Sequence, residues 1–386
     1  MTTTIDNEQK TLNVPNLRFP EFEGEWEKKR LGDFTERVKR KNKYNLSKLP
    51  LTISAKYGLV DQITFFNKIV ASTDMSNYYL LKKGEFAYNK SYSNDYPWGA
   101  IKRLDNYEQG VLSALYICFA TQDNVESDFI LQYFESPKWH KSVSEIAVEG
   151  ARNHGLLNIS VQDFFQTYHY VPKEKKEQTK IATLLHLIDE RISTQNKIIE
   201  KLETLIKGIR ARLTQQVGGD FVYLSEIAQI YQPQTISLSE LTKEGYLVYG
   251  ANGVIGKYRE YNHQTEQICI TCRGNTCGVV NYTQPKSWIT GNAMVINTDD
   301  FKEKVFKRYL YHYLSAYNFN RIISGSGQPQ IVRSPLEKLR IALPTMQQQI
   351  NIAKTLDKFQ EKIDANAYTL KLYLWQKEYL LQQMFI

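Results

Sequence analysis

The sequence predicts a mixed α/β protein of the α+β kind, in which two pseudo-repeated globular domains are each followed by a long helix. Three observations predict this fold. A segment from Glu177 to Ile192 recurs without gaps from Gln348 to Ile363, at an offset of 171 residues. Shorter similarities precede both copies in the same order. Between these similarities lie short runs rich in β-branched and aromatic residues, separated by Gly, Asn and Ser, which is typical of strands and turns.

The two repeated segments predict long helices that pair with each other. Apolar residues recur in alternating steps of four and three from Ile181 to Leu213, and their partners run from Ile352 to Met384. This spacing is typical of a coiled-coil seam, and a polar seam residue fixes register at some loss of stability. A long helix with one narrow apolar stripe is not stable alone, so we expect the two helices to pack antiparallel. The seam residues are Ile181, Leu185, Ile188, Ile192, Gln195, Ile199, Leu202, Ile352, Leu356, Phe359, Ile363, Asn366, Leu370 and Tyr373.

The globular domains diverge more than the helices. Leu31 and Ile181 are 150 residues apart, whereas their partners Leu224 and Ile352 are 128 apart, so the first domain is about 22 residues longer. This pattern indicates a common frame that carries two different domains. The predicted boundaries are an N-terminal tail over 1–16, a first domain over 17–172, a first helix over 173–217, a second domain over 218–344 and a second helix over 345–386.

Composition narrows the class of protein. The chain has 386 residues, of which 42% are hydrophobic and 23% charged, so it is globular and not disordered. Its apolar runs are too short to span a bilayer, no secretory signal is present, and four cysteines make no disulfide scaffold. We therefore expect a soluble cytoplasmic protein that does not bind membranes.

The net charge of +8 is unevenly distributed along the chain. Between Lys28 and Lys43 there are eight basic and two acidic residues, and a cluster of this kind attracts polyanions. An ordinary solvated basic face explains the same run equally well. The candidates for phosphate contacts are Arg37, Lys39, Arg40, Lys41 and Lys43.

We find no pattern that favours catalysis. The chain lacks any Pro-Pro pair and therefore the Asn/Asp-Pro-Pro-aromatic motif of adenine amino-methyltransferases. Gly250 to Tyr258 departs from a phosphate loop in its glycine spacing and has no Ser or Thr at the Mg²⁺ position. A metal site is one interpretation of Cys269, Cys272 and Cys277, which have His263 nearby. The favoured interpretation is that these cysteines are buried, apolar side chains. A Ser–His–Asp or Cys–His site stays open without geometry. We predict no catalytic residue and no metal.

Polar glycine-containing loops are better suited to binding nucleic acid. Arg pairs with guanine, and Asn or Gln pairs with adenine, through two adjacent hydrogen bonds, while glycine lets the backbone approach phosphates. For any single residue a solvated loop is the simpler interpretation, but the loops occur as matched pairs in both halves. The candidates are Lys56, Lys90, Ser91, Tyr92, Asn94, Arg152, Asn153, His154, Asn158, Asn252, Arg273, Asn275, Thr276, Ser326, Gln328, Gln330 and Arg333.

The chain resembles the specificity subunit, HsdS, of type I restriction–modification enzymes. The residues that carry the resemblance are LRFPEFEGEWEKKRLGDF at Leu17 to Phe34, SGSGQPQI at 324–331, and Gln-x-x-Ile-Ala-x-x-Leu at both helix starts. The resemblance extends from about Asn13 to Ile386. Two departures are mild: the loop at 155–158 lacks the glutamine of the second copy, and Lys377 replaces an apolar seam residue.

The resemblance implies a function as well as a fold. Such subunits carry two target recognition domains, each reading one part of a split double-stranded DNA sequence, and a helical spacer that fixes the gap. They dock two modification subunits, which bind S-adenosylmethionine and methylate adenine, and in some systems two restriction subunits, which use ATP and Mg²⁺. The specificity subunit itself is non-catalytic and binds no cofactor.

Two other functions stay open at this stage. One is a coiled-coil scaffold whose globular domains bind protein partners, and a weak dependence of binding on salt would favour it. The other is a self-sufficient nuclease or methyltransferase, which would be active in the purified chain.

Overall fold

A computed structural model describes residues 12–54, 57–68, 71–93, 95–147, 155–216, 218–251, 253–325 and 327–386, with 213–216 described by their backbone alone. The chain forms two compact units. Unit 1 consists of Met1–Thr194 with Leu370–Ile386, and unit 2 consists of Gln195–Thr369. Each unit therefore contains one globular domain and one part of each long helix.

Unit 1 contains short strands and short helices that precede the first long helix. Its strands are β1 (Glu27–Arg30), β2 (Thr35–Arg37), β3 (Leu51–Ser54), β4 (Gly58–Asp61), β5 (Tyr79–Lys82), β6 (Phe86–Asn89), β7 (Ala100–Arg103), β8 (Gln109–Leu112), β9 (Ile117–Thr121) and β10 (Tyr168–Val171). Its helices are α1 (Leu31–Phe34), α2 (Gln62–Phe66), α3 (Ser127–Glu135), α4 (His140–Ile146) and α5 (Val161–Gln166), and the long helix that begins here and continues into unit 2 is α6 (Lys175–Gln216).

Unit 2 repeats this plan with fewer α-helices among its described residues. Its strands are β11 (Asp220–Tyr223), β12 (Gln229–Tyr231), β13 (Tyr246–Gly250), β14 (Gly253–Tyr258), β15 (Ile268–Thr271), β16 (Val280–Tyr282), β17 (Trp288–Ile289), β18 (Ala293–Asn297) and β19 (Arg340–Leu343). Its helices are α7 (Lys307–Ala316) and α8 (Arg333–Glu337), and the second long helix is α9 (Met346–Gln383), which ends in unit 1.

The central sheets of the two units have the same topology. The strand order is β2-β9-β6-β7 in unit 1 and β12-β18-β15-β16 in unit 2, with every neighbouring pair antiparallel. A hairpin accompanies each sheet, β3–β4 in unit 1 and β13–β14 in unit 2. A two-stranded antiparallel pair, β1–β10 or β11–β19, closes each domain ahead of its long helix.

The long helices pack against each other in antiparallel directions within both units. In unit 1, Asp189 of α6 pairs with Lys377 of α9 at 2.6 Å. In unit 2, Gln195 bonds Asn366 and Arg210 bonds Gln360, so residue numbers rise along α6 as they fall along α9. The fold class and the antiparallel pairing predicted from the sequence are confirmed.

The seam residues lie on the inward side of these helices. In unit 1, Ile181, Leu185 and Ile188 join a core that also buries Leu380 and Met384. The seam of unit 2 forms a separate cluster of Ile206, Leu356 and Ile363, against which Leu202, Ile209, Ile352 and Phe359 pack. The remaining predicted seam residues Ile192, Ile199, Leu370 and Tyr373 are half-buried.

A glutamine at the start of each long helix fastens the domain to it. The buried amide of Gln178 donates to Pro172 O at 2.8 Å and accepts from the backbone of Glu126, which precedes α3, at 2.8 Å. Gln349 repeats both bonds, donating to Pro344 O at 3.0 Å and accepting from Phe306 N, which precedes α7, at 2.8 Å. Because each amide satisfies an otherwise unpaired backbone group at a helix end, these residues position α3 and α7 on the long helices.

Candidate nucleic-acid interface

Three loops of unit 2 meet at one edge of its central sheet. The hydroxyls of Thr271 and Thr276 both donate to Ala251 O, at 2.8 and 2.9 Å, which joins the loop after β15 to the tip of the β13–β14 hairpin. Gly274 N donates to Pro329 O at 3.0 Å, and Ile331 N donates to Cys272 O at 3.0 Å. The loops therefore form one surface, which we call loop cluster 2: Ala251 at the hairpin tip and residues 272–279, 324–325 and 327–331.

The polar candidates of loop cluster 2 are held in place by backbone bonds while their side chains face solvent. Arg273 forms an antiparallel bridge with Gln330, and both side chains are exposed, as are those of Asn275 and Gln328. Thr276 is half-buried, and because its hydroxyl is bonded to Ala251 it positions the loop. The exposed Arg, Asn and Gln side chains are of the kind that read base edges in the major groove.

One glycine shapes the third loop of this cluster. Gly325 has φ +90°, and a Cβ at this position would lie 2.4 Å from Gln328 O. The close turn lets Ser324 and Gln330 exchange two backbone hydrogen bonds, at 2.9 and 2.8 Å. Only glycine tolerates both the left-handed backbone and the approach, so this residue sets the position of Gln328.

Unit 1 brings together the equivalent loops, which we call loop cluster 1: residues 90–93, 95–99 and 155–159. Ser91 forms an antiparallel bridge with Leu156, Tyr92 N donates to Gly155 O at 3.1 Å, and Leu157 N donates to Lys90 O at 2.9 Å. The Lys90 ammonium donates to Ile159 O at 3.2 Å, so it ties the two loops together. Ser91 and Asn158 are exposed, and Tyr92 is half-buried.

The basic residues that follow β2 leave the central sheet of unit 1 at the same edge as loop cluster 1. We call residues 38–43 the basic segment. Strand β9 is antiparallel to both β2 and β6, so β2 and β6 run in the same direction and end at one edge. We call this the loop edge. The chain continues from Arg37 into the basic segment and from Asn89 into Lys90. A positive segment beside the loops favours a polyanion at this edge.

Three of the five predicted phosphate contacts also hold the domain together. Arg37 donates to Tyr79 OH at 3.1 Å, and Arg40 forms an ion pair with Glu85 at 2.6 Å. Lys41 donates to Asn77 O at 2.9 Å and lies 3.7 Å from the centroid of the Tyr79 ring. Lys39 and Lys43 are exposed.

The segment that follows β12 at the corresponding edge of unit 2, residues 232–236, is uncharged. After β12 the chain continues as Gln232-Pro233-Gln234, and the Gln232 amide donates to Gly291 O at 3.1 Å and to Cys272 Sγ at 3.2 Å.

The cysteines and the histidine that raised the question of a metal site have other surroundings. Burial raises the pKa of the Cys269 thiol to about 12, so that thiol is neutral at physiological pH. His263 is bonded to Tyr231 OH and to Asn262 Oδ1. Within the described ranges, no group of three or more His, Cys, Asp or Glu residues is arranged to hold a metal ion.

Several candidates lie elsewhere. Arg333 is at the first position of α8, where its guanidinium pairs with Glu337 at 2.7 Å, outside loop cluster 2. Seven candidates fall outside the described residues: Lys56, Asn94, Arg152, Asn153, His154, Asn252 and Ser326. No helix of the part of the chain described here is long and apolar enough to cross a membrane.

The polar break in the seam is a bonded layer. Gln195 Nε2 donates to Asn366 Oδ1 at 2.6 Å and to Asn366 O at 3.0 Å, so the two amides that interrupt the repeats meet each other. Lys377, the charged residue in the seam, pairs with Asp189, which also accepts from Gln132 of α3 at 3.0 Å. A slipped register would leave these groups without partners, so the polar contacts select one alignment of the helices.

Sequence reasoning missed a buried ion pair that holds the N-terminal arm. Glu177 is 2% exposed and accepts from Arg18 at 2.7 and 2.8 Å and from the indole of Trp26 at 3.1 Å. The partners are more than 150 residues apart, and the available signal was the acidic residue on the inward side of a helix start. The contact fixes the arm that carries the Leu17 to Phe34 motif against α6.

A family model, the type I restriction modification DNA specificity domain, matches residues 217–372. This part of the chain, 156 of the 386 residues, is therefore similar to that family. The chain is also 31% identical over 149 residues to the EcoprrI specificity subunit of Escherichia coli, a match covering 37% of this chain and 36% of that protein. It is 31% identical over 113 residues to a putative type I restriction enzyme specificity subunit of Haemophilus influenzae, a match covering 28% of this chain and 28% of that protein. The chain thus spans about a third of the length of the curated relatives that it matches.

The fold of nearly the whole chain is similar to that of two solved structures. The S subunit of the type I restriction–modification system from M. genitalium has a TM-score of 0.63 at 17% identity, over 97% of this chain and 99% of that one. A chain from a study of assembly and conformational transition of the type I R-M system has a TM-score of 0.56 at 17% identity, over 93% and 97%. The predicted resemblance to type I specificity subunits is confirmed.

Proposed function

We propose that the chain is the DNA-reading, non-catalytic subunit of a type I restriction–modification enzyme and recognises a bipartite target. Loop clusters 1 and 2 would each read one half-site. The observation that carries the proposal is the repetition of one loop arrangement in two units with the same sheet topology but different exposed side chains. One frame with two sets of polar side chains suits two different base sequences.

The paired helices would set the gap between the half-sites. Helices of 42 and 38 residues have lengths of about 60 Å, which exceeds one duplex turn of about 34 Å. The bonded layer of Gln195 and Asn366 keeps the helices in one register, and therefore the gap constant.

The proposal assigns the chemistry to partner proteins. Two modification subunits would dock on the helices, bind S-adenosylmethionine and methylate an adenine taken out of the base stack. Restriction subunits, where present, would supply ATP- and Mg²⁺-dependent cleavage. This chain would bind no cofactor and act in the cytoplasm, where its role is to place the partners on DNA.

The test is to co-express the chain with its modification subunit and map methylated adenines across a host genome. A split motif with one fixed gap is expected, and a contiguous motif or random methylation would refute the proposal. Arg273→Ala should relax positions in one half-site only, since that side chain is exposed in loop cluster 2. Arg333→Ala is the matched control, because its guanidinium already pairs with Glu337.

Salt dependence separates this function from a protein-binding scaffold. Contacts to phosphates release counterions, so the affinity of the assembled complex for its duplex should fall steeply between 50 and 200 mM salt, by about 10³-fold or more. Lys39→Ala with Lys43→Ala should reduce the slope of log affinity against log salt by about 2. If the affinity of both the wild type and the double variant is independent of salt concentration, the protein-binding scaffold is favoured.

A further inference from the structure

Unit 1 exposes three aromatic side chains in one small area. Tyr57, at the end of the turn between β3 and β4, is 60% exposed, and Phe65 and Phe66 of α2 are 45% and 44% exposed. The ring centroids of Tyr57 and Phe65 are 6.4 Å apart, and those of Phe65 and Phe66 are 5.0 Å apart, both edge to face. We call these three residues the aromatic patch.

The short helix α2 is built to hold these rings outward. Asp61 caps its N-terminus by accepting from Ile63 N at 3.0 Å, and Asn67 ends it in the left-handed conformation with φ 49°. The first residue of the helix, Gln62, donates its backbone N–H to Pro50 O at 2.8 Å. A helix of five residues has little stability of its own, so these end contacts decide where the phenylalanines lie.

Tyr57 of the aromatic patch lies toward the loop edge of unit 1. Strand β7 starts at this edge, because Ala100 pairs with Asn89, and it runs away from the edge toward Tyr107. Strand β4 contacts β7. The last residue of β4, Asp61, donates its N–H to Tyr107 OH at 3.4 Å, so this end of the strand lies on the side away from the loop edge. The start of β4, next to Tyr57, therefore lies toward the edge that carries loop cluster 1.

The segment that holds the start of α2 carries positive charge. The segment that ends at Pro50, where α2 begins, contains the exposed side chains of Lys43 and Lys48. Exposed aromatic rings on a helix that is held by a lysine-containing segment suit duplex DNA, whose charged backbone surrounds apolar base faces. A purely apolar protein partner would gain nothing from those lysines.

Unit 2 has a different connection at this place. In unit 1 residues 62–85 join β4 to β6, whereas in unit 2 residues 259–267 join β14 to β15, and that shorter connection contains one tyrosine, Tyr261, and no phenylalanine. Part of the extra length of the first domain is therefore the segment that carries the exposed phenylalanines.

We propose that the aromatic patch is a wedge that packs against unstacked bases of duplex DNA at the half-site read by unit 1. Apolar side chains that enter base steps stabilise a distorted duplex without reading its sequence. A methyltransferase partner must take its adenine out of the stack, and a surface for exposed base faces lowers the free energy of that distorted state. The inference rests on the proposed DNA-reading function and adds a difference between the two half-sites.

The test uses the complex of the full chain with its modification subunit and duplexes of the mapped target. The half-site of unit 1 is the one left intact by Arg273→Ala. With 2-aminopurine in that half-site, fluorescence should rise on binding, because the base becomes unstacked, and should rise less in the other half-site. Phe65→Ser with Phe66→Ser should abolish most of the increase and weaken binding about tenfold.

Three comparisons make the outcome decisive. The double variant should keep the salt dependence of the wild type, since a wedge releases no counterions. Phe65→Trp should keep the fluorescence increase. Tyr168→Ser is the matched control, because Tyr168 is 45% exposed but lies on β10, beside α1 and away from the loop edge.

Two outcomes would overturn the proposal. Unchanged affinity and fluorescence in the double variant would show that the rings do not meet DNA. Loss of the modification subunit from the double variant, measured by sedimentation, would assign the patch to protein docking. Failure of the proposed function is distinguishable, because the wild-type complex would then produce no split methylation motif.

Discussion

Unit 1 and unit 2 have the same sheet topology and the same attachment to the long helices, but they differ in the charge of the segments at their loop edges. Both attach a domain helix to a long helix through the amide of Gln178 or Gln349, and both join their loops by backbone bonds. At the loop edge of unit 1, the segment that follows β2 contains lysines. The segment that follows β12 at the corresponding edge of unit 2 starts with the uncharged Gln232. Duplication has thus kept the contacts that hold the domains in place, while the exposed edges have become different.

The second contact between domain and long helix also differs. In unit 1, Asp189 accepts from the neutral amide of Gln132 and from Lys377. In unit 2, Asp357 accepts from Arg308 at 3.0 and 3.2 Å and from the buried His312 at 2.8 Å. Burial alone would raise the pKa of Asp357, but the hydrogen bonds from Arg308 and His312 lower it. The attachment of unit 2 therefore depends more on one carboxylate.

The largest expected effect breaks this attachment. Asp357→Ala leaves Arg308 and His312 half-buried or buried without their acceptor, and we expect it to destabilise unit 2 by about 2–3 kcal/mol, allowing for partial exposure. Asp189→Ala is the matched change in unit 1, and we expect about 1 kcal/mol. Hydrogen exchange of the amides in α7 and α3 reports each unit separately. Equal losses of protection would contradict the comparison.

A second pair of variants compares the loop clusters. Gly325→Ala adds a Cβ 2.4 Å from Gln328 O at φ +90°, whereas in Gly155→Ala, at φ +77°, the Cβ meets no described atom within 4 Å. Both substitutions strain the backbone by about 1 kcal/mol, and only the first also displaces a neighbouring turn. We expect Gly325→Ala to relax the half-site of unit 2 strongly and Gly155→Ala to change that of unit 1 little, as measured by mapping methylated adenines.

The smallest expected effect concerns the helices that both units share. Gln195→Leu with Asn366→Leu removes the bonded layer, which should raise the free energy of unfolding by about 1 kcal/mol while weakening the choice of register. Methylation should then appear at targets with more than one gap. Ile199→Leu, an apolar exchange in the seam, is the control and should keep a single gap. A single gap in the double variant would show that Lys377 and Asp189 suffice to fix the register.

Much of the frame could be predicted because its signals are local or repeated. The spacing of Ile181, Leu185 and Ile188 places them on one side of a helix whatever the rest of the chain does. The matched amides Gln195 and Asn366 indicated a common register, and the structure shows that they bond each other. The strands around Ile53, Ala87, Ile270 and Val295 followed from short β-branched and aromatic runs bounded by turn residues.

The candidate site was less predictable, because a residue type does not show which partner it will have. Arg40 and Arg333 were both candidates for contacting DNA, yet they pair with Glu85 and Glu337. Thr276 was a candidate for binding DNA, and in the structure its hydroxyl donates to Ala251 O at the hairpin tip. The aromatic patch carried no periodic signal, since Tyr57 and Phe65 belong to different elements and meet only through the turn at Asp61.

The sequence by itself determined that two similar domains alternate with two long helices and that these helices pair antiparallel. Helical period and duplication are written into neighbouring residues and into a constant offset, so they can be seen without knowing the fold. Only the tertiary structure decided which polar side chains are free at the loop edges and which are bonded, as Glu177 is to Arg18. The physical reason is that a hydrogen bond or ion pair is made between residues far apart in the chain, and its formation depends on packing that no local pattern records.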